Sequence, residues 1–178
     1  MGDSRSGGGI VRRGSADSSG EQDMRAFRRR WTSGVAVVTI VTDGGLRGAT
    51  VSGLLPLSVD PPSIAFALQD GSQFLSMLEG GTKIGVSILD RAQEFTAERL
   101  AGRAPVPDGE FGGIGHRRDQ GVAWLDGAMA WALGQVDRLQ IEGDHVLVVA
   151  SISRIEIAAD TDDPMVVYDA RYRSLEMS

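Results

Sequence analysis

One histidine of this sequence stands where an imidazole could act on a ligand. His145 follows Gly143 and Asp144 in the stretch QIEGDHVLVVASI, directly before a β-branched run that is typical of a strand. A neighbouring carboxylate can fix the orientation of an imidazole, and ligand sites often lie where strands begin or end. His145 and Asp144 are therefore the candidate catalytic residues. The alternative is that His145 is an ordinary turn or core residue.

Small hydroxyl residues form a second candidate site in the stretch RGATVSGLLPLSVDPPS. Thr50 and Ser52 lie two residues apart, so in a strand they share one face while Val51 takes the other. The flanking Gly48 and Gly53 would let a flat ligand approach the backbone closely. The alternative is an ordinary strand with a polar outer face.

Ser72, in the stretch QDGSQFLSMLEGGTK, is a third candidate. Serine is favoured at helix N-caps, and residues 72–79 are predicted to form a short helix. The unpaired N–H groups and the positive dipole end of a helix could hold a phosphate group. The alternative is that Ser72 does no more than cap this helix.

Several other kinds of site are excluded by composition or by missing motifs. The chain has no cysteine, which excludes disulfides, zinc–thiolate sites, iron–sulfur clusters and thiol nucleophiles. Two histidines without assignable carboxylate partners argue against a metal site, and no G-x-S-x-G motif is present. No G-x-G-x-x-G opens a helix after a predicted strand, and no Walker motif occurs, so any nucleotide must be bound by another device.

The charge balance argues against nucleic acid as a partner. Eighteen basic and twenty-four acidic residues give a net charge of −6, whereas phosphate backbones attract clustered cations. The dense basic run RAFRRRW is predicted to be the outer face of a helix rather than a phosphate-binding stripe. No apolar run approaches the roughly 20 residues that cross a bilayer. We therefore expect no membrane segment, and the absence of cysteine fits a cytoplasmic protein.

These candidates have to be positioned by the rest of the chain, which divides into a tail and one domain. Residues 1–20 are Gly/Ser-rich and are predicted to be a disordered tail, and residues 21–178 are predicted to be a single domain. In the segment EQDMRAFRRRW, Met24, Phe27 and Trp31 form one helical stripe, which is predicted to contact the core rather than to form a cofactor-binding box.

The domain consists mostly of strands that follow one another through turns. The run GVAVVTIVTDGGLRGATVSGL predicts a hairpin that turns at Asp43–Gly45. SIAFALQ and TKIGVSIL predict strands, GAMAWALGQVDRLQIEG with DHVLVVASISRIEIA a long hairpin, and PMVVYDARYRSL a last strand. RAQEFTAERLA predicts a second surface helix, and residues 102–121 a long loop. This order favours an antiparallel barrel or sandwich over a doubly wound parallel sheet.

Six segments together resemble a known family. TSGVAVVT, GATVSG, LSVDPPSIAFAL, IGVSIL, GDH and PMVVYDARYRSL occur in the order and approximate spacing of the flavin reductase-like family. These are small NAD(P)H:flavin oxidoreductases that serve two-component monooxygenases. The resemblance implies a mainly β, antiparallel FMN-binding split β-barrel with a few short peripheral helices. It also implies a homodimer with flavin near the subunit interface, FMN or FAD as cofactor, NAD(P)H as hydride donor, and a separate flavin-dependent monooxygenase as partner.

The resemblance further implies which residues contact the flavin. The ring and the ribityl chain contact one strand, at Thr50, Val51 and Ser52. The adjoining loop contributes Ser58, Asp60 and Pro61, and the turn near the phosphate contributes Ser72 with Gln73. No basic residue lies between Pro61 and Thr82, which leaves backbone N–H groups, Lys83 or an arginine from elsewhere to bind the phosphate.

The resemblance places His145 on the nicotinamide side of the flavin, with Asp144 fixing its orientation. Hydride transfer from nicotinamide C4 to flavin N5 needs two stacked rings and no protein nucleophile, which agrees with the lack of a catalytic cluster. The sequence differs from the family pattern at Gly53, Ser87 and Gln73. Two alternatives stay open: a split-barrel flavoprotein that holds its flavin tightly and acts on another small molecule, and a non-catalytic flavin-binding barrel.

Overall fold

The computed structural model describes residues 18–104, 109–159, 163–173 and 175. Within these ranges, the helical elements are α1 (Ser18–Arg30), α2 (Glu94–Leu100) and two 3₁₀ turns, Leu75–Met77 and Arg91–Gln93. The remaining elements are strands. They are β1 (Ser33–Gly34), β2 (Ala36–Thr42), β3 (Gly45–Val51), β4 (Leu54–Val59), β5 (Pro62–Gln69), β6 (Lys83–Ile88), β7 (His116–Asp119), β8 (Val122–Leu125), β9 (Ala130–Glu142), β10 (His145–Ile157), β11 (Val166–Tyr168) and β12 (Arg171–Arg173).

Seven of the strands form one antiparallel sheet in the order β3-β2-β6-β9-β10-β5-β4. The two 13-residue strands β9 and β10 form the predicted long hairpin at its centre, and irregular registers at Val149/Ala150 and Ile152/Arg154 bend this pair. The predicted hairpin between β2 and β3 is also present, with Thr42 paired to Gly45. The expectation of a mainly β, antiparallel domain with few helices is confirmed.

The main core fills the concave side of this sheet. Its buried side chains are aliphatic or aromatic and come from alternate positions of β2, β5, β6 and β10, as expected where one face of a strand is buried. Phe66, Ile84 and Val148 are fully excluded from solvent. A second cluster lies beneath α2 and β8, around Leu89, Leu125 and Met165.

Two buried hydroxyl groups attach β8 to the main sheet. Thr39 Oγ1 on β2 donates to the carbonyl of Ala123 at 2.6 Å and accepts from its N–H at 3.3 Å. Ser87 Oγ on β6 accepts from the N–H of Leu125 at 3.1 Å. Thr39 and Ser87 are both fully buried. The hydroxyl of Ser87 therefore bonds within the protein and is not exposed to a ligand.

The structure corrects the predicted loop over residues 102–121 and the predicted last strand. Residues 116–119 form β7, which pairs with β8, and Arg117 stacks on the Trp124 ring at 4.6 Å. The charged sequence HRRD is typical of a solvent-exposed segment, but the guanidinium of Arg117 covers an aromatic ring. The segment PMVVYDARYRSL forms a hairpin of β11 and β12, because Asp169 and Ala170 adopt positive φ and turn the chain.

The prediction that the first helix contacts the core is wrong. Met24, Phe27 and Trp31 are 54%, 65% and 70% exposed, since α1 is attached mainly at its C-terminal end. There the Arg29 carbonyl accepts from the N–H of Asp169 at 3.0 Å. Most of the predicted tail, residues 1–17, lies outside the described residues, and residues 18–20 form the first turn of α1. None of the described helices is long and apolar enough to cross a membrane.

Candidate active-site cleft

A cleft of about 1290 Å³ opens at the end of the sheet where β3 finishes and β10 begins. One wall is the backbone of β3 and the following residues up to Gly53, and another is the turn after β5. Helix α1 and the C-terminal end of α2 close two further sides. Five of the predicted flavin-binding residues line this cleft together with the candidate catalytic histidine. They are Thr50, Val51, Ser52, Ser72, Gln73 and His145.

The β3 wall presents mainly backbone groups to the cleft, together with the free hydroxyl of Ser52. Thr50 Oγ1 donates to the carbonyl of Ala97 on α2 at 2.8 Å, which leaves its lone pairs as the remaining polar capacity. The Val51 side chain is 3% exposed and belongs to the core, so this residue presents its backbone to the cleft. Ser52 is exposed, and its hydroxyl makes no hydrogen bond to any described residue.

The glycines that flank this strand have different roles. A Cβ on Gly48 would lie 2.8 Å from the Phe111 ring, so the close approach here is made by the protein's own phenylalanine rather than by a ligand. A Cβ on Gly53 would meet nothing closer than the Ala67 Cβ at 3.8 Å, which leaves open space above the backbone. The expectation of a close ligand approach therefore applies to Gly53 but not to Gly48.

His145 and Asp144 form a hydrogen-bonded pair at the rim of the cleft. His145 is the first residue of β10, opposite Gln69 on β5 and Glu142 on β9, and its Nδ1 lies 2.8 Å from Asp144 Oδ1. This hydrogen bond, followed by the charge interaction with the same ring, lowers the pKa of the Asp144 carboxyl.

An ionised carboxylate only accepts hydrogen bonds, so Nδ1 of the His145 ring carries the hydrogen of this pair. Nε2 makes no hydrogen bond within the described part of the chain. It is therefore the ring nitrogen that remains for a ligand, as an acceptor while the imidazole is neutral and as a donor once it is protonated.

Ser72 lines the cleft but does not begin an α-helix. Its Oγ accepts from the N–H of Leu75 at 3.3 Å, and the segment that follows is a three-residue 3₁₀ turn whose N-cap is Phe74. The predicted helix over residues 72–79, with a dipole that could hold phosphate, is therefore absent. The turn that carries Ser72 is attached to the turn before His145, because the N–H of Asp70 donates to the carbonyl of Asp144 at 3.0 Å.

Four predicted flavin-binding residues do not line the cleft. Ser58, Asp60 and Pro61 are exposed around the end of β4 and the turn that follows it. Lys83 begins β6, is exposed, and pairs with Gln135 on β9. Within one subunit, these residues are thus separated from the residues at the end of β3.

Six arginines line the cleft, and none of them was predicted from the sequence to lie there. They are Arg25, Arg28 and Arg29 on α1, Arg47 on β3, and Arg99 and Arg103 at the end of α2. The run RAFRRRW, predicted to face away from the protein, therefore turns three of its cations toward the cleft. The available signal was that arginines and large apolar residues occur together in this run, since both kinds of side chain line the cleft.

Carboxylates engage three of these cations. Arg103 pairs with Glu98 at 2.9 Å, Arg29 lies 3.6 Å from Asp169, and Arg47 lies 3.9 Å from Glu110. Glu110 also accepts from the N–H of Gly48 at 3.0 Å, which attaches the loop before β7 to the β3 wall. No group of three or more potential metal ligands occurs in the described ranges. The cleft thus combines apolar walls, backbone groups and cations, which suits a flat ring that carries an anionic chain.

Comparison with known proteins identifies relatives of the whole domain. The sequence profile of the family described as "Flavin reductase like domain" matches residues 28–176. The reductase component of 4-hydroxyphenylacetate 3-monooxygenase from Thermus thermophilus is 30% identical over 150 residues, 82% of this chain and 91% of that protein. The NADH:FMN oxidoreductase of Rhodococcus erythropolis is 28% identical over 155 residues, 84% of this chain and 79% of that protein.

A solved structure shows the same fold. Nitrilotriacetate monooxygenase component B from Mycobacterium thermoresistibile superposes with a TM-score of 0.81 at 25% identity, covering 90% of this chain and 89% of the other. The expected split-barrel fold is confirmed by this similarity and by the antiparallel sheet described above.

Proposed function

The chain belongs to the flavin reductase-like family, and from this premise we propose that it transfers hydride from NAD(P)H to FMN or FAD. The observation that carries the proposal is the cleft at the end of β3, which brings Thr50, Ser52 and His145 to one open space. Reduction of flavin needs two flat rings held face to face, and an open cleft of this size can admit both.

The residues of the cleft fit a flavin. Backbone groups of Thr50–Ser52 and the free Ser52 hydroxyl can bind the polar edge of the ring and the ribityl chain. The apolar side chains of Phe74 and Met77 line the cleft beside the 3₁₀ turn Leu75–Met77. A bound flavin supplies the acceptor for the hydride from nicotinamide C4. The side chains of this chain have only to bind, orient and exclude water.

His145 orients the nicotinamide in this proposal. With Nδ1–H directed to Asp144, neutral His145 presents the Nε2 lone pair, which matches the N–H groups of the nicotinamide carboxamide. Asp144 is a positioning residue, because it acts on the substrate only through the ring. Arg28 on α1 is also close enough to contribute to the lowered pKa of Asp144, so α1 helps to keep this carboxyl ionised.

We further propose a homodimer in which a second subunit covers the cleft. The apolar stripe of α1 (Met24, Phe27 and Trp31) is exposed on the cleft side, and exposed stripes of this kind support protein contacts. A second subunit would also provide a route by which Ser58, Asp60 and Pro61, which do not line the cleft of their own chain, reach a flavin.

The partner in this proposal is a separate monooxygenase that uses the reduced flavin. The support is the Thermus relative, which is the reductase component of a monooxygenase. Because NAD(P)H is drawn from the metabolic pool of the cell, we propose a cytoplasmic location.

The experiment that tests the function is steady-state oxidation of NADH and NADPH, followed at 340 nm, with FMN, FAD and riboflavin in parallel. We expect turnover that depends on both added flavin and protein. A protein that binds flavin but oxidises neither nucleotide would be a non-catalytic barrel. A protein that stays yellow through purification and does not turn over free flavin would support the tightly bound flavoprotein.

A further inference from the structure

Arg99, in the last turn of α2, is a buried cation without a carboxylate partner. The residue is 7% exposed and lines the cleft. Its Nη1 donates to the carbonyl of Gly112, and its guanidinium lies 5.4 Å from the centre of the Phe95 ring. Its Nε is buried and has no hydrogen-bond partner.

The carboxylates on this side of the cleft are committed elsewhere. Glu98 pairs with Arg103 and Glu94 with Arg91, both within 3 Å, and Glu110 is shared between Arg47 and the N–H of Gly48. A buried charge is costly unless an opposite charge and hydrogen bonds compensate it. Among the described residues no acid lies within salt-bridge distance of Arg99, so no described group of the chain compensates its charge.

We propose that Arg99 anchors a phosphate subsite at the α2 end of the cleft, and that it binds the phosphate of a nucleotide held there. This inference rests on the proposed function, which brings flavin and nicotinamide nucleotides into the cleft. A guanidinium can give a phosphate two parallel N–H donors, and the bond to Gly112 already fixes the side chain, so little entropy is lost on binding.

Arg99 and Ser72 lie on different walls of the cleft. Ser72, the predicted phosphate residue, lies on the turn whose Asp70 N–H bonds to Asp144, so it belongs to the His145 end of the cleft. Arg99 belongs to a different wall, formed by α2 and the loop that contains Gly112.

The test compares ligands with and without phosphate on the variant Arg99→Gln. We expect the Kd of FMN, measured by flavin fluorescence, to rise about 10- to 100-fold, as for loss of a charge-assisted pair. The Kd of riboflavin, which lacks the phosphate, should change less than about threefold on the same reasoning. Arg91→Gln is the matched control, because it removes a cation from the same segment outside the cleft and should leave both values unchanged.

A second arm distinguishes the source of the phosphate. With riboflavin as acceptor, a normal KM for NADH in Arg99→Gln assigns the subsite to the flavin phosphate. A KM for NADH raised about 10-fold or more, with an unchanged Kd for FMN, assigns it to the nicotinamide nucleotide. Either result supports a phosphate subsite.

Two results would overturn the inference. One is equal weakening of FMN and riboflavin with unchanged NADH kinetics, which would show that Arg99 only supports the wall. The other is no change in any of these values. If Arg99→Gln does not fold, competition by inorganic pyrophosphate is measured on the wild-type protein instead. Pyrophosphate should raise the apparent Kd of FMN or the KM of NADH but not the Kd of riboflavin, and no competition would overturn the subsite. Wild-type protein that binds no flavin at all would refute the proposed function instead.

Discussion

At the scale of a residue, the hydrogen bond between Asp144 and His145 determines which ring nitrogen of the imidazole carries the hydrogen. The Gly-Asp-His order predicts the contact, and the structure places Nδ1 2.8 Å from the carboxylate. Because the hydrogen bond from His145 lowers the pKa of Asp144, the carboxyl is ionised at any physiological pH. The tautomer of the neutral ring follows from this, and so does the role left to Nε2.

The variant His145→Ala tests this role. We expect kcat/KM for NAD(P)H to fall roughly 5- to 150-fold, the effect of losing a hydrogen bond worth about 1–3 kcal/mol. The Kd of flavin should change less, because that contact is assigned to Thr50–Ser52 and the α2 wall. Melting temperature, flavin titration and NADH kinetics on one preparation check it. An easily unfolded protein with normal NADH kinetics would show that His145 is only a turn residue.

At the scale of elements, β8 depends on two buried hydroxyls. In Thr39→Val, the carbonyl and the N–H of Ala123 both lose their side-chain partner in a site with no solvent access. We expect the free energy of unfolding to fall by about 1–3 kcal/mol in urea denaturation. Thr32→Val, at an exposed position, is the control and should change it little. Equal stability of both variants would contradict the account of β8.

The second element-scale prediction concerns the contact of β12 with α2. Burial, and then the charge of Glu98, raises the pKa of Tyr172 to about 12 from its ordinary value near 10. The unfolded chain ionises first as pH rises, so the stability that neutral Tyr172 provides is present below pH 10 and is lost between about 10 and 12.

Absorbance at 295 nm tests this shift, since the chain has two tyrosines. The variant Tyr172→Phe should lose the step near pH 12 and should show a smaller loss of stability from pH 10 to 12 than the wild type. A titration curve that keeps a step near pH 12 in the variant would assign the shift to another group.

The elements that the sequence predicted are those with a strong local pattern. The hairpins β2–β3 and β9–β10 combine β-branched runs with Asp-Gly or Gly-Asp turns, and both are present. The hairpin β7–β8 was not predicted, because the charged sequence HRRD is typical of a solvent-exposed loop and its period gives no sign that Arg117 lies over the ring of Trp124, its partner on β8. Likewise, a helical period cannot tell a core stripe from the exposed stripe of α1.

The candidate site was predictable in part for the same reason. Thr50, Ser52 and His145 stand at strand ends that the local pattern fixes. Arg99 and Arg103 reach the cleft through the packing of α2 on β3, marked by the bond from Thr50 to Ala97, and no local pattern reports such a long-range contact. Ser58 was placed by resemblance and Lys83 as one of the cations left to bind the phosphate, and neither residue lines the cleft of a single subunit.

At the scale of the whole molecule, the cleft is open on the side of α1, and the proposed homodimer closes it. We expect the wild type to sediment as a dimer and the double variant Phe27→Asp/Trp31→Asp to sediment as a monomer, because two charges would then replace an apolar contact. Val41→Asp, an equally drastic change at an exposed strand position outside the cleft, should remain dimeric. A stable wild-type monomer with full reductase activity would contradict this proposal.

The central claim is that hydride passes directly from nicotinamide to flavin in this cleft. The most direct measurement is anaerobic stopped-flow mixing of protein and flavin with NADH or with NADH deuterated at C4, following the loss of flavin absorbance at 450 nm. We predict rapid bleaching that requires the protein, is slower with the deuterated nucleotide, and is slowed further in His145→Ala. Bleaching no faster than in the protein-free mixture, or a rate that is the same with both isotopes and in both proteins, would contradict the claim.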